Sequence, residues 1–179
     1  MIKSIVNEKN IYGIPYKEIK NIDDIEVGKY HYNYKTVDFM FNFKENVKRF
    51  VVIFHGAIQE KDKLPIFLKY NYEDPEVNLL AISDKLLEYN NNIKGSFIVR
   101  TAVFAESENI RPHETYSEII EKCIFLSNTK KNIFLGPCSG AKPAIYFGSR
   151  FNSEIIIANG YMYPSEEMKR IFEKASGLE

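Results

Sequence analysis

The chain has 179 residues, 45% hydrophobic and 14% aromatic, which suits one domain with a substantial core and excludes a disordered or fibrous class. Twenty-four basic residues balance 24 acidic ones, so no net field favours nucleic acid or an anionic membrane. No apolar run reaches the ~18 residues that span a bilayer, so no membrane insertion is expected.

Met1–Glu8 lacks the long apolar core of an export signal. With Cys123 and Cys138 as the only cysteines, reduced thiols and a cytoplasmic location are expected. In residues 1–35 alternating aromatics (Tyr30, Tyr32, Tyr34) predict short strands in an N-terminal hairpin or edge. Thr36–Phe43 alternates as a strand with one covered face should. Arg49–Phe54 and Val77–Ile82 are apolar almost throughout, which predicts strands buried on both faces. The first runs into His55-Gly56-Ala57 and the second into Ser83-Asp84. Gly95–Ala102 reads equally as an added strand or an extended loop.

Thr115-Tyr116-Ser117-Glu118 has the pattern of a capping box. The helix it opens carries Tyr116, Ile119, Ile120 and Cys123 on one face, so Cys123 is predicted to be a core residue. Glu154–Ala158 predicts another buried strand, ending at Asn159-Gly160. A last helix follows Pro164-Ser165, with Met168, Ile171, Phe172 and Ala175 on one stripe and Gly177 as its stop.

Strands alternating with helices predict a three-layer α/β/α domain around a mostly parallel sheet. It divides into N-terminal strands (1–35), a core (36–163) and a terminal helix (164–177). In such sheets sites gather beyond the carboxyl ends of the strands. His55-Gly56-Ala57, Ser83-Asp84, Pro137-Cys138-Ser139 and Asn159-Gly160 all fall on that edge.

Lys131–Ala144 is the stretch on which function turns. It reads as a buried strand, a very tight turn and the start of a helix. Gly136-Pro137-Cys138-Ser139-Gly140 fits the spacing G-x-nucleophile-x-G, with cysteine where serine is usual. A strand that becomes a helix within one residue crowds its neighbours, so the flanking positions must lack side chains. The apex residue is left exposed at the positive end of the next helix, where an anionic nucleophile is favoured. The same run nearly matches a phosphate loop, since Gly136 and Lys142 have the right separation. However, Ala141 replaces the second glycine and Pro143 the magnesium-holding hydroxyl. A plain tight turn without chemistry is the third alternative.

Taken together, the strand ending in His55-Gly56, the strand ending in Ser83-Asp84, the elbow followed by Gly140-Ala141-Lys142-Pro143-Ala144 and the strand ending at Asn159 resemble the α/β-hydrolase superfamily. The resemblance runs from about Thr36 to Tyr163. Within the superfamily the chain looks most like the small hydrolase-like proteins of bacterial surface-polysaccharide loci and the acetyltransferase domain of accessory secretion systems. This implies Cys138 as nucleophile, and an oxyanion hole from the N–H of Ser139 and the Gly56-Ala57 loop. His55 would be a packing residue.

The family normally supplies its acid and histidine after the elbow. No histidine follows His113 here, so the C-terminal strands that carry them are expected to be lacking. His113, just before the capped helix, falls on the elbow's side of the sheet and is the candidate base, the alternative being a solvated loop histidine beside Arg111 and Pro112. Asp84 or Asn159 could orient it, and Asp84 could equally cap the next helix. His31 has no argument for proximity. The resulting expectation is ester or acyl chemistry, hydrolase or acyltransferase, on a small-molecule or carbohydrate substrate such as a surface polysaccharide. The alternative is a non-catalytic or truncated hydrolase-like binding module. No cofactor, metal or nucleic acid is called for, and self-association is left open.

Overall fold

The computed structural model describes residues 11–58, 64–69, 71–94, 102 and 104–159. They form a seven-stranded sheet in the order β1-β2-β3-β5-β4-β6-β7. The strands are β1 (Tyr16–Ile19), β2 (Gly28–Tyr34), β3 (Val37–Phe43), β4 (Arg49–Phe54), β5 (Val77–Ile82), β6 (Asn132–Pro137) and β7 (Glu154–Ala158). Three α-helices accompany them: α1 (Lys85–Lys94), α2 (His113–Ser127) and α3 (Ala141–Arg150). β5, β4, β6 and β7 run parallel, and β3 is antiparallel to both neighbours. The expected α/β class with a mostly parallel sheet is the one observed.

Alternation along the strands divides the core between two faces. On one face Phe39 and Phe41, Val52 and Phe54, Leu80 and Ile82, and Phe134 pack with Tyr116, Ile119 and Cys123 of α2 and Phe147 of α3. Phe54 stacks on Phe147 at 5.7 Å and meets Phe104 edge-on at 5.1 Å, which fixes α3 and the 104–106 segment over the end of β4. Full burial of such a ring contributes roughly 1.5–3 kcal/mol. On the other face Met40, Ile53, Leu79 and Ala81 pack against Ile14 and Phe67. Cys123 is fully buried, as its place on the helix predicts.

Of the N-terminal hairpin or edge expected, β1 forms the edge, parallel to β2 with Tyr16 beside His31. Segment 20–27, which includes the 3-10 turn Ile22–Asp24, returns the chain to the start of β2. The hairpin lies one strand later, where Lys35 and Thr36 both take positive φ (47° and 69°), the two-residue turn that matches strand twist. β3 is buried on both faces and not one, because Phe39 and Phe41 pack with α2 on one side and Met40 packs with Ile14 and Phe67 on the other. The predicted capping box does not form. α2 begins at His113, and Thr115 lies inside its first turn. The N–H of His113 donates instead to Glu106 Oε1 at 2.9 Å, an anionic cap brought from the preceding loop.

β7 is a strand as expected, but it is exposed. Ile155, Ile156 and Ile157 are 36–45% accessible, since β7 lies at the margin of the described sheet. Residues 95–101 and the predicted helix after Pro164 lie outside the described residues. Among the described residues no helix is long and apolar enough to cross a membrane.

Candidate functional site

The turn between β6 and α3 is as tight as the glycine spacing predicts. Pro137 ends the strand in extended conformation, Cys138 takes φ +50°, and a single 3-10 turn (Cys138–Gly140) leads into α3. Left-handed backbone at a non-glycine residue is uncommon and must be held by its surroundings. Two glycines make the hold sterically feasible. A Cβ on Gly136 would lie 2.1 Å from the carbonyl oxygen of Gly140, and one on Gly140 would lie 2.7 Å from that of Phe54. Pro143 sits in the first turn of α3, where its missing N–H has no partner to lose.

The loop after β4 stands directly against the apex. A Cβ on Gly56 would meet the Cys138 Cβ at 3.2 Å, so the His55-Gly56-Ala57 backbone and the cysteine share one wall. Ala57 is exposed, Gly56 and Cys138 are half-buried, and Ser139 is buried. Ser139 thus turns inward while Cys138 stays reachable.

His55 is a structural tie. Its Nε2 accepts the Asp84 N–H at 3.2 Å and its Nδ1 donates to the Gly56 carbonyl at 2.8 Å, linking the ends of β4 and β5. Asp84 is fully buried. Its Oδ1 accepts the Leu87 N–H at 3.3 Å, an N-cap on α1, and its Oδ2 accepts the Phe104 N–H at 2.9 Å. Burial raises the Asp84 carboxyl above the usual carboxylate range, and the neighbouring His55 and backbone N–H groups oppose that rise.

His113 begins α2, and both of its ring nitrogens face acceptors. Nε2 donates to the Phe104 carbonyl at 2.7 Å, while Nδ1 stands 3.8 Å from Glu106 Oε2. It makes no hydrogen bond to Cys138. Its ring packs instead on Tyr146 at 5.3 Å and Phe147 at 5.8 Å. Here it lines a cavity of about 180 Å³ with Phe104, Pro143, Tyr146, Phe147 and Lys142. The cavity's walls are largely apolar and aromatic, and it lies along the first turns of the helix that the elbow starts. Asn159 is exposed at the end of β7 with φ +51°. His31 is far along the sheet, paired with Asp38 at 2.6 Å.

The elements therefore bring together Cys138, Gly56-Ala57 and Ser139 as one group. Asp84 and His55 form a buried support behind it. Glu106, the partner of His113, carries no signal in the sequence, since nothing in a seven-residue separation across a loop marks a pair. Among the described residues no group of three or more His, Cys, Asp and Glu side chains is arranged to hold a metal.

No protein-family profile matches the chain, and no curated protein sequence matches it. Solved structures do. The capsule O-acetyltransferase of Neisseria meningitidis serogroup A matches with TM-score 0.59 and 16% identity, over 85% of this chain and 60% of that one. The same enzyme in complex with caged gadolinium matches with TM-score 0.55 and 17% identity, over 81% of this chain and 62% of that one. The chain has this α/β fold and spans less than two thirds of the length of the structures it matches.

Proposed function

We propose that this chain is an acyl-transfer domain of α/β-hydrolase type, acting on an ester or acyl group of a surface polysaccharide through Cys138. The observation that carries this reading is the backbone of Cys138, held at φ +50° between two glycines that tolerate no side chain. Left-handed strain at the apex of such a turn is retained where function needs the side chain presented. The strand order, with the His55-Gly56 loop after β4 and the elbow after β6, supports the superfamily. The fold shared with a capsule O-acetyltransferase supports the substrate class.

The Cys138 thiol gives up its proton to solvent, and its sulfur attacks the carbonyl carbon of an acyl donor. The N–H groups of Ser139 and of the Gly56-Ala57 loop stabilise the oxyanion. Collapse of the tetrahedral intermediate expels the donor's leaving group and leaves a thioester on Cys138. A sugar hydroxyl, or water, then attacks that thioester and must lose its proton to a base. With Nε2 of His113 donating to Phe104, that ring has no lone pair turned toward the sulfur. The first half-reaction is therefore fast and the second slow for the chain in this conformation.

That engagement of His113 and His55 also favours a second reading, a hydrolase-like module that binds without turnover. Stopped-flow reaction with p-nitrophenyl acetate separates the two. A burst of one equivalent that disappears in Cys138→Ala supports the acyl-transfer reading. No burst in the native chain supports the binding module. Steady turnover abolished by His113→Ala would make His113 the base after all, because removing a base costs ~10²–10⁴-fold.

A further inference from the structure

A second cavity, of about 150 Å³, lies beside the β2–β3 turn and is lined by Lys35, Lys85, Arg111, Asn109 and Thr115, with no acidic side chain among its walls. That is roughly ten times the space one water needs by the same measure. The Arg111, Asn109 and Thr115 side chains make no hydrogen bond to any described residue, so their donors are available. Thr115 stands in the first turn of α2.

The charge balance matters more than the count of cations. The Lys35 Nζ is already 2.7 Å from Glu118, so its charge is shared. The Lys85 Nζ lies 3.6 Å from Glu88 Oε2. Glu88, however, is buried, and desolvation pushes its carboxyl up to about 8, with Asp38 adding to the rise. Near neutral pH Glu88 is mostly protonated and leaves the charge of Lys85 uncancelled. Arg111 is exposed and has no acidic partner among the described residues. Two uncompensated cations with a hydroxyl and an amide around one small cavity make a site for an oxyanion, and the fork of an arginine suits one with several oxygens.

We infer that the Lys35–Lys85–Arg111 cavity binds a phosphate or diphosphate group of a small-molecule ligand. A carboxylate offers two oxygens, fewer than the donors gathered here can use, which favours phosphate. The site stands apart from the Gly136–Lys142 run, so it is a different proposal from a phosphate loop at the elbow.

Isothermal titration of the 179-residue chain with sodium pyrophosphate tests it, with sodium glucuronate as the carboxylate control. Pyrophosphate should bind in a salt-sensitive manner. Arg111→Gln should weaken it by about tenfold or more, the usual loss for a charged hydrogen bond, and Lys35→Gln by less. Both residues are exposed, so an unchanged melting curve will show that the variants fold. Lys85→Gln is avoided because the Lys85 side chain is largely enclosed beside the buried Glu88, so its loss would disturb packing as well as charge. Lys142→Gln should leave the affinity unchanged. Absence of binding at millimolar pyrophosphate would overturn the inference. So would glucuronate binding as tightly, or binding lost in Lys142→Gln while Arg111→Gln is unaffected.

Discussion

Gly56 and Cys138 touch across the sheet edge: a Cβ on the glycine would stand 3.2 Å from the Cβ of the cysteine. The contact sets a graded expectation for three glycines. Gly56→Ala asks the Cys138 Cβ and the Pro137 carbonyl oxygen, both at 3.2 Å, to yield by a few tenths of an ångström, so the protein should fold but show a displaced apex. Gly136→Ala and Gly140→Ala meet backbone atoms at 2.1 and 2.7 Å, which cannot yield. Both should lose at least ~3 kcal/mol, the upper end of overpacking costs, and a urea titration will measure it. Wild-type midpoints for either variant would mean that the elbow is looser than described.

The two thiols should differ sharply in reactivity. Cys123 is fully buried in the α2 face, and burial pushes its thiol well above the ordinary range. Cys138 is half-buried at the apex of the turn. Iodoacetamide at neutral pH, followed by peptide mapping, should label Cys138 in the folded protein and Cys123 only after denaturation. Labelling of Cys123 first would contradict the arrangement.

Much of this site is legible in the sequence because steric demands leave marks. Gly136 and Gly140 flag a turn in which a Cβ has no room, and the unbroken apolar runs of β4 and β5 flag burial on both faces. What the sequence hides depends on contacts between distant segments. Glu106 caps α2 from a loop, so the helix starts at His113 and Thr115-x-x-Glu118 is no capping box. The run of isoleucines in β7 reads as a buried strand, yet burial depends on position in the sheet, which a five-residue run cannot encode. The engagement of His113 with the Phe104 carbonyl is equally a property of loop placement.

Glu88 gives the protein a pH dependence of defined sign. Its carboxyl has one oxygen, Oε1, without a hydrogen-bond partner among the described residues, and its pKa is raised by burial from the usual 4.5 to about 8. The folded state therefore holds a proton that the unfolded state releases, so Glu88 makes stability fall as pH rises between about 4.5 and 8. A loss of order 3–5 kcal/mol over that window corresponds to ~1.4 kcal/mol per pH unit. Glu88→Gln should match the wild type near the acid end and exceed it at the alkaline end, as read from thermal melts across the range. Parallel curves for the two proteins would show that Glu88 is ionised throughout.

In the proposed reaction Cys138 carries the acyl group. Intact-mass spectrometry and peptide mapping after brief incubation with p-nitrophenyl acetate, quenched in acid, measure this directly. The prediction is one acetyl group per chain, located on Cys138, removed by neutral hydroxylamine and absent in Cys138→Ala. An unmodified chain, or an acetyl group that remains elsewhere in Cys138→Ala, would contradict it.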